Sequence, residues 1–277
     1  MAVTACVVGL AGLAASPLTP ADASTLDAFN TGDVIVDFQF NDANGTTIPS
    51  TVNTGSAGGS FDNDTDSANV VTNGLGQLDA TGKNNTSFGS NYVDVDDVTE
   101  GRIVGLFEVS WDFDESVYDS GQDEEFRLSL INRDPRSTFV TAEIYFQRTS
   151  ATEVTLFGNA VGTGATDTVD TLFGSSGSLL TLIDLDLDAG DYELLYSADG
   201  GTTFLSAGGG SLGLDPDDAS AFRSLASVRL VLNEDFSDDT VLIDRFAVSV
   251  VIPEPSTVGL FAVGLIGFTL RRRRHAA

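Results

Sequence analysis

Apolar side chains recur at every second position in nine stretches of this chain, residues 34–40, 103–113, 126–131, 140–146, 154–157, 179–187, 192–196, 228–232 and 241–251. Only an extended strand puts alternate residues on one face, so each stretch is expected to be a strand with one buried side. Turn-forming clusters separate them, among them Asp42-Ala-Asn-Gly45, Ala189-Gly190 and Asp199-Gly-Gly201. Many spaced strands with almost no helical period point to an all-β, antiparallel sandwich. One short helix is expected at 217–225, where Asp215-Pro-Asp-Asp218 offers a start signal. Residues 126–131 and 140–146 flank Asn132-Arg-Asp-Pro-Arg136 and read as a hairpin. In 180–188, the alternation puts Asp184, Asp186 and Asp188 on one face, which is expected to be solvated or to hold cations.

The two ends read differently from the middle. Residues 5–13 are apolar and are followed by Ala21-Asp-Ala23, an A-x-A signature for signal peptidase, although no basic residue stands before the apolar stretch. Residues 1–23 are therefore expected to be a signal peptide, with Ala21 and Ala23 marking the cut and Cys6 inside the leader. At the other end, Pro253-Glu254-Pro255-Ser256 precedes an apolar run, 257–270, and then Arg271, Arg272, Arg273 and Arg274. Positive charge beside an apolar run is retained on the cytoplasmic side of a membrane, so the bulk of the chain is expected outside. As a helix the 14-residue run rises about 21 Å, short of a hydrocarbon core of about 30 Å. That length suits a C-terminal hydrophobic helix that holds the protein at the inner membrane only transiently.

This tail resembles the PEP-CTERM sorting signal, whose parts are a Pro-Glu-Pro box, one hydrophobic segment and a basic terminus. The resemblance implies an exosortase as partner, cleavage at or near Pro253–Pro255, and delivery to the cell surface or extracellular matrix of a Gram-negative bacterium. It covers residues 253–277 alone.

Residues 24–252 form one expected domain, with 39 acidic and nine basic residues once Asp22, Glu254 and the four terminal arginines are set aside. A surface that acidic repels phosphate backbones and excludes nucleic acid as a partner. Cys6 is the only cysteine and His275 the only histidine, so this region has no disulfide, no thiol nucleophile, no Ser-His-Asp triad and no His- or Cys-ligated zinc. Among common catalytic devices a carboxylate pair survives, and Glu108, Asp112, Asp114 and Glu115 around the only tryptophan, Trp111, are its candidates. They depart from the Glu-x-Asp-x-x-Glu strand motif of jelly-roll glucanases, having Ser110 at the central position. Asp62, Asp64 and Asp66 alternate like the start of a calcium loop, but Ser67 and Asn73 stand where an EF-hand needs glycine and glutamate. Calcium would need further ligands, with Asp94, Asp96 and Asp97 as candidates.

The order of segments, with the Asp191–Gly201 strand and turn and the final Val241–Val248 strand, resembles the concanavalin A-like or laminin-G-like jelly roll. That superfamily includes lectins and glycan hydrolases, so the fold alone leaves function open. The expectation from the whole sequence is a non-catalytic surface or matrix protein linked to exopolysaccharide. A calcium-assisted lectin-like module is the alternative, and a divergent glycoside hydrolase is less favoured.

Overall fold

The computed structural model describes residues 21–63, 70–81, 89–118, 124–131, 140–159, 171–212, 224–233 and 239–252. The first element is a helix, α1 (Ala21–Thr31), followed by β1 (Asp33–Phe38) and three two-residue strands, β2 (Asp62–Asn63), β3 (Val71–Thr72) and β4 (Leu78–Asp79). Longer strands follow: β5 (Gly89–Val98), β6 (Arg102–Asp112), β7 (Glu125–Ile131), β8 (Val140–Ser150) and β9 (Glu153–Asn159). The chain then forms β10 (Thr171–Gly174), β11 (Ser176–Asp186), β12 (Asp191–Ser197), β13 (Leu205–Ser211), β14 (Leu225–Asn233) and β15 (Thr240–Val251).

Two antiparallel sheets result. One has the order β13-β12-β11-β6-β15-β4-β3, with β1 also paired to β15, and the other has the order β10-β9-β8-β7-β14-β5-β2. All nine sequence-predicted strands are present, and β7 pairs with β8 as the expected hairpin, Phe126 opposite Phe146. The tip of that hairpin, 132–136, lies outside the described residues.

Alternation decides which face each residue serves. On β6, Ile103, Phe107, Val109 and Trp111 enter the core between the sheets, where they meet Leu128, Ile144 and Phe146 of the opposite sheet. Trp111 packs 5.7 Å from the Phe146 ring and donates its indole N–H to the Gly174 carbonyl at 3.1 Å. Gly177, opposite Trp111 in the register, makes room for it: a Cβ there would stand 2.9 Å from the indole Cζ2. Val104 and Leu106 point the other way and pack with Leu182, Ala247 and Phe204 under α1, which contributes Ala28 and Phe29. The sandwich therefore has a third layer on the outer face of one sheet.

That layer corrects one expectation. Asp188 is exposed and Asp186 partly so, but Asp184 is only 8% exposed because α1 covers it and Arg102 neutralises it. A buried carboxylate needs such a cation, and the sequence spacing alone does not reveal one 82 residues away. The helix expected at 217–225 is corrected at its end, since Leu225 opens β14, where in-register bonding to β5 and β7 overrides a local start signal. The rest of that stretch, through 223, lies outside the described residues, as do the leader through residue 20 and the C-terminal hydrophobic helix. Among the described residues no helix is long and apolar enough to cross a membrane.

Candidate functional site

The sequence placed its strongest signal after residue 252, and the fold shows what that signal is attached to. β15 is sandwiched between β6 and β1 and runs to Val251, which stands opposite Arg102. Ile252 follows directly and is 58% exposed. Pro253, Glu254, Pro255, Ser256 and Arg271 to Arg274 lie outside the described residues. Two adjoining grooves, each about 400 Å³, flank the exit at Ile252 and share Asp33, Ile35 and Val98. Asp96, Asp97 and Glu100 complete the rim of the larger-walled one.

At the N-terminal side, Ala21 and Ala23 fall in the first turn of α1. The residues that anchor the helix come just after them. Thr25 is fully buried, and its hydroxyl donates to Asp184 Oδ2 at 2.8 Å while accepting from Arg102 Nη2 at 3.0 Å. Arg102 also grips Asp184 through Nε at 2.8 Å. The hydrogen bonds to Asp184, with the nearby Asp186 and Glu193 carboxylates, raise the Arg102 guanidinium above its ordinary range against the opposing effect of burial.

The carboxylates proposed for hydrolysis fall on the outer face and end of β6 and on the turn that follows it. Glu108 is half-buried on the outer face of β6, where burial and then the neighbouring Asp244 raise its carboxyl above the usual range, partly offset by Arg245. Asp112 is exposed at the end of that strand, four residues and about 13 Å further on. Asp114 does not share its strand face, because the strand has ended. Its carboxylate caps a one-turn helix by accepting from the Ser116 N–H at 2.9 Å and hydroxyl at 2.7 Å, which holds it below the usual range. Glu115 accepts from Ser175 at 2.8 Å. Retaining hydrolysis needs two carboxyls about 5 Å apart, a spacing that Glu108 and Asp112 do not have along β6, while Asp114 and Glu115 are engaged by Ser116 and Ser175.

For calcium, Asp62 is exposed on β2 opposite Tyr92, whereas Asp64 and Asp66 lie outside the described residues. Asp94 is exposed on β5, and Asp96 and Asp97 belong to the exit groove. Among the described residues no three His, Cys, Asp or Glu side chains converge as a metal site.

Sequence reasoning missed the ion-pair networks. Each of the five described arginines is paired. Arg148 is fully buried and donates to Glu124 at 3.1 Å, to Asp239 at 2.9 Å and to the Asp114 carbonyl at 2.7 Å, with Phe113 and Tyr118 against its guanidinium. On the outer face of the other sheet, Arg127 binds Glu125 and Glu143, and Arg229 reaches Ser129 at 3.1 Å and Glu143 at 3.4 Å. Tyr145 is held there between Arg127 and the stacked ring of Phe157, so both of its faces are occupied. Arg245 grips Asp37 through two hydrogen bonds of 2.9 and 3.1 Å and lies over Phe29 of α1. These cations hold strands together, and none of the five is left to recruit an anionic ligand.

Comparison with known families decides what the tail is. Residues 251–274 match the PEP-CTERM protein-sorting motif. The chain carries that sorting motif. It marks an exported protein whose C-terminus is processed at the membrane and implies an exosortase as partner. The motif begins at Val251, inside β15, so the sorting signal and the folded domain share a residue of sheet. Among solved structures, the fold is similar to lectin II from Ulex europaeus, with a TM-score of 0.46 and 12% identity over 79% of this chain and 99% of the lectin. Peanut lectin gives a TM-score of 0.46 and 13% identity over 78% of this chain and 98% of its own. A legume lectin-like domain from Entamoeba histolytica gives 0.42 and 8% over 69% and 90%. No curated protein matches the sequence.

Proposed function

We propose that this is a non-catalytic surface or matrix protein that an exosortase sorts and that associates with exopolysaccharide. The observation that carries the reading is the sorting motif joined without a linker to the last strand of a β-sandwich. Two features of the domain support it. The candidate catalytic carboxylates are dispersed over a strand face and a capping turn, and the described arginines are committed to internal ion pairs. Among the described residues, the exposed polar chemistry that remains is hydroxyls, amides and carboxylates, groups that hydrogen-bond to sugar hydroxyls and take up cations from a saline exterior.

The test is retention of purified residues 24–252 on exopolysaccharide from a bacterium that makes PEP-CTERM proteins, with millimolar calcium and in an EDTA-treated duplicate. The expected result is retention in both, with no release of reducing sugar. Retention abolished by EDTA would move the assignment to a calcium-assisted lectin-like module. Sugar release would overturn the non-catalytic reading.

A further inference from the structure

Thr25 of α1, near the start of the described chain, and the end of β15 meet at one pole of the sandwich. Val251, the last residue of β15, stands opposite Arg102, and the Arg102 guanidinium holds Thr25, two residues after the expected leader cut at Ala23. The turn before Arg102 and the turn after β11 meet at that pole, Leu187 donating to the Gly101 carbonyl at 2.9 Å and Gly101 to Asp188 at 3.2 Å. Asp33 pairs with Val250, so the start of β1 reaches the same edge.

The groove at this pole is acidic, which disfavours an anionic lipid surface as its partner. The groove at the exit has an apolar floor of Ile35, Val95 and Val98, and a rim of Asp33, Asp96, Asp97 and Glu100, all four exposed. Anionic headgroups repel such a rim. Only Ile252 separates the end of β15 from Pro253, so a protease acting at Pro253–Pro255 works within about 10 Å of the groove. No tether lets it reach the cleavage point without meeting the folded domain.

We propose that this groove is the docking surface through which the folded domain meets the membrane-embedded enzyme that removes its tail, the partner face being basic around an apolar centre. Charge complementarity of this kind raises the encounter rate and fixes orientation. The proposal rests on the sorting reading given above and adds to it that the enzyme recognises folded sandwich as well as the motif.

The experiment is a pulse-chase of the full chain in an exosortase-bearing bacterium, reading the rate of tail removal from the change in mass. The D96N/D97N/E100Q variant removes three rim charges far from the motif in sequence. The D112N/E115Q/E153Q variant removes the same number of exposed charges at the opposite pole. The expected result is tail removal slowed about tenfold in the first and unchanged in the second. Equal rates in all three proteins, or equal slowing in both variants, overturns the docking proposal while leaving the sorting reading intact. Absence of tail removal from the unaltered chain overturns the sorting reading, and the docking proposal with it. Melting temperatures accompany each rate; should the triple variant prove unstable, Asp97→Asn and Glu100→Gln singly read the same rate.

Discussion

Arg148 ties three buried side chains together, because its fully buried guanidinium holds two buried carboxylates, Glu124 and Asp239. Removing one member of such a group leaves charge stranded in a low dielectric, so Arg148→Met is expected to lower stability by about 3–5 kcal/mol in denaturant melts. Met keeps most of the volume, so a loss of that size reports the guanidinium's charge together with its hydrogen bonds and ring contacts. Its parity was legible: Arg148 has the phase of Ile144 and Phe146, which points inward on β8. Its partners were not, since Asp239 is 91 residues away and no spacing rule joins them. Glu108 carries the opposite kind of electrostatics. Its carboxyl is raised by burial and by Asp244, so the folded state binds a proton more tightly than the unfolded chain does, and the contribution to stability is greatest in acid and is lost as pH rises through the folded value. Glu108→Gln is therefore expected to raise the melting temperature at neutral pH and to leave it unchanged below about pH 4, where both forms are neutral. An unchanged melting temperature at pH 7 would contradict that assignment.

At the scale of elements, α1 separates what the sequence revealed from what it hid. Strands with strict alternation were legible because a half-buried strand writes its period into the sequence. α1 was not, since Leu26, Ala28 and Phe29 make too short an apolar stripe to mark a helix and follow a signal-peptidase signature. β5 was missed because Asp94, Asp96 and Asp97 interrupt its apolar positions, and β13 because Gly208, Gly209 and Gly210 carry no pattern at all. What makes α1 an element is tertiary: Phe29 fills the layer over Leu106 and Ala247, and Thr25 completes the Arg102–Asp184 pair. Phe29→Ala is expected to cost about 3–5 kcal/mol, measured by chemical denaturation of residues 24–252. A loss under about 1 kcal/mol would mean that α1 is an ornament on the sheet and not its cover.

For the whole molecule, the account is that a sandwich held by internal ion pairs is carried to the surface by a tail spliced onto its last strand. The general plan was legible in the sequence because the sorting motif and the strand periods are both local patterns. The candidate chemistry was less so: alternation could place Glu108 and Asp112 on one strand, but only the fold shows that Asp114 caps a turn and that Glu108 is half-buried on the outer face of its sheet. We propose that the tail, and Glu254 within it, directs C-terminal processing and release from the membrane. The most direct measurement is the intact mass and cellular location of the full chain beside its Glu254→Ala variant in an exosortase-bearing bacterium. The unaltered chain is expected to lose its C-terminal arginines and reach the surface or medium, while the variant keeps them and stays with the inner membrane. Equal mass and equal location for the two proteins would contradict it.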